Sequence, residues 1–194
     1  MRRRVLASLV SNQEEEMYKE LFLSLIDGTI TSLDDPNITV VKNYGFANCA
    51  NVISVNSSSI RSCGNYAFYN CSNLEQITCH NATNLGEWCF TGCAKLNYAQ
   101  FDGPVSLKTQ CFYSCQQLKT VRLTNPTSLH TNAFNACIRL ADVYMSGKTA
   151  SEIMSMASFP WMINADPSVR TYHGSDADVV YDSESGTWVI RQRA

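Results

Sequence analysis

Apolar and polar positions between Asn43 and Tyr144 recur with a fixed step of 22 residues. Phenylalanine stands at Phe46, Phe68, Phe90, Phe112 and Phe134, and three residues on comes Cys49, Cys71, Cys93, Cys115 and Cys137. A third column holds Val52, Leu74, Leu96, Leu118 and Leu140, and a fourth holds Val55, Ile77, Ala99, Val121 and Val143. Four columns in register over five copies predict a solenoid, in which each repeat is one coil stacked on its neighbour. Within each copy, Ile77 and Cys79 alternate with polar Gln76 and Thr78, which is strand periodicity. Coils stacked at a spacing of roughly 4.8 Å build a parallel sheet from such strands. The return half of the coil carries Val41, Cys63, Leu85, Leu107 and Leu129 in one column. Tyr66-Ala67, Trp88-Cys89 and Asn132-Ala133 lead into the phenylalanines and are expected on a short helical turn.

The flanks read differently. Ser11-x-x-Glu14 is a capping box, and Met17, Tyr18, Leu21, Phe22, Leu25 and Ile26 form the apolar stripe of a helix that Gly28 ends. This helix is expected to cover the first coil, because an open solenoid end exposes core. Ile30 and Leu33 lie one period before Val52 and Val55, so Thr29–Asp35 reads as a strand without its coil. After Met145, Thr149-x-x-Glu152 is a second capping box, opening a helix over about Ser151–Ala157. Phe159-Pro160-Trp161 stops it, and the segment resembles sequences that close such arrays, so it is expected to plug the last coil. Val169–His173, Asp178–Asp182 and Thr187–Arg191 then read as short strands of a terminal meander. The expected organisation is therefore an arm and capping helix over 1–28, a solenoid of one partial and five full repeats over 29–146, and a C-terminal cap with β tail over 147–194.

The unit Ala67-Phe68-x-x-Cys71-x-x-Leu74-x-x-Ile77 resembles the BspA-type leucine-rich repeat, of the kind found in bacteria and their phages. The resemblance implies an α/β solenoid, a right-handed coil stack with a parallel sheet, and an adhesion or recognition role. The motif speaks to the fold and says almost nothing of the ligand.

Composition narrows the function classes. The formal net charge is -2 and the sequence pI about 5.9, so nothing pulls the chain as a whole toward nucleic acid. Charged residues make up 16% of the chain against a usual ~25%, with Asn, Ser, Thr and Gln in their place, which suits coils that offer hydrogen bonds more than long-range charge. Nine cysteines is an odd and high count. Five belong to the repeat column and are read as small buried hydrophobes with free thiols, which suits folding in a reducing compartment. Met1-Arg2-Arg3-Arg4 followed by Val5–Val10 imitates a signal peptide, but its apolar part is six residues long and runs into Ser11–Glu16, so no cleavable leader is expected. No apolar run approaches the ~20 residues of a membrane span. The glycan-acceptor patterns at Asn37, Asn56, Asn70 and Asn81 are products of an Asn-, Ser- and Thr-rich composition and are expected to stay unmodified.

Candidate chemistry is sparse. Cys89, Cys93, Cys111 and Cys115 imitate a four-cysteine zinc spacing, yet each occupies a slot that the repeat already explains, and no metal or cofactor is expected. His80, His130 and His173 are read as surface histidines, since none stands beside a nucleophile that it could serve. No phosphate loop and no paired carboxylates stand out, and no enzymatic activity is expected. What remains is a surface. Strand residues between the buried columns face outward as two rows: Ser54, Gln76, Tyr98, Thr120 and Asp142, and beside them Asn56, Thr78, Gln100, Arg122 and Tyr144, with His80 and Asp102 just past. From Gln76 to Tyr144 these rows form the expected ligand-binding face, with Tyr98, Arg122 and Tyr144 of the types enriched in hot spots.

The expected function is a non-catalytic recognition or adhesion module whose rigid face binds a protein or glycan receptor. Its expected setting is a phage virion or a cell surface reached after cytoplasmic assembly, with neither nucleic acid nor membrane insertion involved. The rival expectation is a structural virion subunit that docks on sister proteins through its terminal segments. A third, a metal or thiol protein, requires bound zinc or labile cysteines.

Overall fold

Alternation of inward and outward side chains, repeated every 22 residues, gives each coil one four-residue strand and one two-residue strand. The computed structural model describes residues 19–21, 23–25, 27–29, 31–161 and 166–194. The expected N-terminal arm, the Ser11–Glu14 capping box and the apolar positions Met17, Tyr18, Phe22, Ile26 and Ile30 lie outside the described residues.

The first sheet begins with β1 (Ser32–Leu33), β3 (Ser54–Ser57), β5 (Gln76–Cys79), β7 (Tyr98–Phe101), β9 (Thr120–Leu123) and β11 (Asp142–Met145), all parallel. Pairing follows the sequence period, so Val55 meets Ile77, Ile77 meets Ala99, and Val121 meets Val143. The return side is a second parallel sheet of two-residue strands: β2 (Val40–Val41), β4 (Ser62–Cys63), β6 (Asn84–Leu85), β8 (Ser106–Leu107) and β10 (Ser128–Leu129). Between the sheets the columns close into a core in which Phe68, Phe90, Phe112 and Phe134 have no exposed surface. Their rings stack, with centroids 5.5, 5.3, 5.0 and 5.6 Å apart from Phe46 to Phe134.

The segments leading into the phenylalanines are chained turns rather than the expected helical turn. Tyr66 and Asn70 have φ of 58° and 56°, Trp88 has 57°, and Gly92 has 76°. These left-handed residues split the backbone donors between two directions. Phe68 N donates to Cys89 O in the next coil at 2.8 Å, while Cys71 N donates back to Phe68 O at 3.2 Å. A helical turn would spend both donors inside one coil and leave the stack unjoined on this side.

Both ends of the stack are closed. Residues 19–21, 23–25 and 27 are helical, with Leu25 buried, and Gly28 follows at φ 81°. At the other end the Thr149–Glu152 capping box is formed in full and opens a helix over Ala150–Ser155, a residue earlier and shorter than expected. Trp161 is wholly buried and sits edge-on to Phe159 and Tyr172, which is the plug. Pro167–Val169 form a 3-10 turn that Asp166 caps, so the expected strand at Val169 begins only at Thr171. The three tail strands do not form a separate meander. β12 (Thr171–His173) pairs parallel with β11, and β13 (Ala177–Asp182) and β14 (Thr187–Gln192) continue antiparallel, making one sheet of nine strands.

Candidate functional site on the outward strand face

Strand register carries the outward rows beyond the repeats. Gln76, Tyr98, Thr120 and Asp142 lie side by side, and the row continues to Thr171. Thr78, Gln100, Arg122 and Tyr144 form the second row, which continues to His173. Eight of the nine residues expected to form the ligand-binding face therefore lie in two adjacent rows, and the ninth, Asp102, joins them through the bond from Gln100 Nε2. The C-terminal half of that face sinks into a groove of about 660 Å³, in the range of roughly 300–1,000 Å³ common for ligand sites. Gln100, Asp102, Arg122 and Tyr144 line it, whereas Gln76, Thr78, Tyr98, Thr120 and Asp142 do not. His173 and Arg193 complete its far wall.

Two polar assemblies frame the groove. On one side Tyr98 donates its hydroxyl to Gln100 Oε1, and Gln100 Nε2 donates to Asp102 Oδ1 at 2.9 Å. His80 Nδ1 lies 2.6 Å from the other oxygen, Asp102 Oδ2. On the other side Tyr144 is held between two neighbours. The Arg122 guanidinium lies 3.9 Å above its ring, and the His173 ring stacks on it at 4.2 Å with 15° between planes. Because β9 and β12 flank β11, these two contacts come from opposite sides of the tyrosine.

His173 is fixed in turn. Its Nε2 is 2.9 Å from Asp142 Oδ1 and its Nδ1 3.0 Å from Asp178 Oδ1. Arg193 Nε donates to the same Asp178 oxygen at 2.8 Å, and its Nη2 donates to the carbonyls of Gly174 and Ala177. Burial alone would raise the Asp178 carboxyl, but the hydrogen bonds from Arg193 and His173 outweigh it and hold it below its usual range. Arg122 differs from Arg193. Among the described residues its guanidinium has no hydrogen bond or ion pair, only the Tyr144 ring.

The structure corrects the reading of His173 as a surface histidine, since two carboxylates and the Tyr144 ring leave it largely covered, whereas His80 is exposed as expected and pairs with Asp102. The interval from Tyr144 to His173 is 29 residues, because the helix and the Trp161 plug intervene, so the 22-residue period misses it. The one available signal was local: Thr171-x-His173 repeats the in-out pattern of Asp142-x-Tyr144. Arg193 carried no such signal. The four cysteines with zinc-like spacing are buried inside the coils, and Cys93 and Cys115 donate their thiol hydrogens to Phe68 O at 3.2 Å and Phe90 O at 3.1 Å. Among the described residues no helix is long and apolar enough to cross a membrane.

Comparison with known proteins bears on the whole assembly. The family described as "BspA type Leucine rich repeat region" matches residues 17–157 in 6 copies. No curated protein matches the chain. Among solved structures, a leucine-rich cell surface protein from Faecalibacterium prausnitzii is 25% identical, with a TM-score of 0.61, covering 66% of this chain and 35% of that one. The T. pallidum leucine-rich repeat protein is 24% identical, with a TM-score of 0.56, covering 59% and 58% of the two chains. A leucine-rich repeat protein from Eubacterium ventriosum is 19% identical, with a TM-score of 0.55, covering 75% and 43%. The latter two are similar in fold alone. The aligned regions span between 35% and 58% of these three proteins.

Proposed function

The chain belongs to the BspA-type leucine-rich repeat family, and on that premise we propose that it is a non-catalytic recognition module whose outward strand face binds a protein or glycan receptor. Leucine-rich repeat proteins are generally protein-binding or adhesion-type modules, and one similar protein is described as a cell surface protein. The observation that carries the finer reading is the Arg122–Tyr144–His173 stack. His173 is held at both ring nitrogens, Tyr144 stacks on it and Arg122 lies over Tyr144 beside a groove, so a partner that docks there loses less side-chain entropy than on free side chains. Tyrosine and arginine are also the residue types that dominate binding hot spots. Of the two settings, virion and bacterial surface, the description of the F. prausnitzii protein favours the bacterial surface.

The test compares adhesion of purified protein to mucin-coated and extracellular-matrix-coated surfaces. The paired change Arg122→Ala and Tyr144→Ala is expected to weaken adhesion about tenfold or more. Ile138→Ser, at an exposed position outside the groove, is expected to leave it unchanged. Equal adhesion by both variants would sink the reading.

A further inference from the structure

Resting on the recognition face just described, we propose that the groove takes a sugar bearing a single carboxylate, of the sialic- or uronic-acid type, with the carboxylate on Arg122.

Arg122 is the reason for an acid. Its guanidinium presents a planar fork of donors matched to a carboxylate, and no described residue occupies that fork. The aromatic stack beneath it fixes the position of the fork. Tyr144 is backed by His173, and His173 is held at both ring nitrogens by Asp142 and Asp178. The other cation of the groove, Arg193, already serves Asp178 and two carbonyls. One cation is thus left to meet one anion.

The rest of the lining is the reason for a sugar. Asp102 lies in the same groove, where Gln100 Nε2 donates to Oδ1 at 2.9 Å and to Oδ2 at 3.2 Å, and Oδ2 also faces His80. Oδ1, with that single contact, keeps a lone pair to which a ligand hydroxyl can donate. Its charge also works against any ligand with several negative groups, such as a run of acidic side chains. Thr124 and Ser146 add hydroxyls, their oxygens 3.4 Å apart on neighbouring coils, and each can both donate and accept. A carboxylate at one end with hydroxyls around it matches this arrangement group by group. The groove volume of about 660 Å³ suits one or two sugar rings.

The experiment titrates the full chain by calorimetry and by NMR with the methyl glycosides of N-acetylneuraminic acid and glucuronic acid. Methyl glucoside and a tetra-aspartate peptide serve as comparisons. At least one acidic sugar is expected to bind saturably and shift the Tyr144 ring signals, with methyl glucoside silent at the same concentration. Arg122→Gln, an exposed change whose fold is checked by its melting temperature, is expected to weaken that binding tenfold or more, and Arg122→Lys by less. Asp102→Asn is expected to weaken the sugar and to strengthen the peptide. Silence from both acidic sugars, indifference to Arg122→Gln, or tighter binding of tetra-aspartate than of either sugar would each overturn the proposal. If the sugars are silent while adhesion still depends on Arg122 and Tyr144, this inference falls alone. If adhesion is also indifferent to them, the recognition face falls with it.

Discussion

Cysteine fills the column from Cys49 to Cys137 because its side chain meets two demands at once. It is small and apolar enough for a coil spacing of one strand width, and its thiol donates a hydrogen bond. Cys71, Cys93, Cys115 and Cys137 each reach the phenylalanine carbonyl of the preceding coil, at 3.1, 3.2, 3.1 and 2.9 Å. Alanine would fit but would forfeit that bond, and serine would bury a hydroxyl with stricter needs. Burial also makes these thiols unreactive, since the thiolate is the nucleophile. Burial, with Cys71 alongside, pushes the Cys49 thiol up to about 12. The native protein is therefore expected to take up no iodoacetamide at pH 8 (~8, near a free thiol's own pKa), and all nine cysteines are expected to react once guanidinium unfolds it. Mass spectrometry reads the count, and native-state labelling would contradict this account. The column itself was plain in the sequence, as were the phenylalanines and the outward rows. The thiol's second role was not, because its acceptor is a backbone carbonyl that no residue type announces.

At the scale of the element, the coils are joined most tightly where a side chain would be in the way. Gly86 sits over the preceding coil, and a Cβ there would come within 2.5 Å of Gly64 C and 2.6 Å of Asn65 N. The room it leaves is used by Asn65, whose Oδ1 accepts from Glu87 N at 2.9 Å, just as Asn43 Oδ1 accepts from Asn65 N at 2.8 Å. Gly86→Ala is expected to destabilise by about 1–3 kcal/mol, as overpacking does, while Lys108→Ala, one coil on, stays within about 0.5 kcal/mol. Urea unfolding measures both, and a neutral Gly86→Ala would show that the coils can part at no cost. The chained turns beside these positions were illegible in the sequence for a definite reason. Left-handed backbone falls at Tyr44, Tyr66, Trp88 and Gln110 in one column and at Asn48, Asn70, Gly92, Ser114 and Ala136 in another, and only the Asn and Gly among them favour it on their own. At the other positions the stacking of coils imposes it, and local preference does not. The same holds for the tail, whose strands were readable but whose partner was not, since their offset from the repeats follows no period.

Across the described residues, the carboxylates held below their usual range gather where the stack closes, apart from Asp27, which Thr29 lowers at the other end. Hydrogen bonds lower Glu152 (from Thr149), Asp166 (from Ser168), Asp176 (from Ala150 N) and Asp182 (from Ser185). Asp178 joins them through Arg193 and His173. A carboxyl lowered in the folded state contributes its full stabilisation above its unfolded pKa, near ~4, and loses it as pH falls through the folded value. The melting temperature is therefore expected to hold from about pH 7 to about 5 and to fall below about 4. Hydrogen exchange is expected to rise first over residues 147–194, where these five groups lie. A melting temperature that rises on acidification would contradict the assignment.

The ladder of pairing between successive coils also bears on how such a protein changes length. Each coil exchanges its backbone bonds with the coil before and the coil after, so recombination that adds or removes a whole 22-residue unit leaves every remaining junction intact. The groove is not free to travel in this way, because it borrows His173 and Arg193 from the closing strands. Growth is therefore tolerated on the N-terminal side of Gln100, and a lengthened descendant carries the same head on a taller stalk.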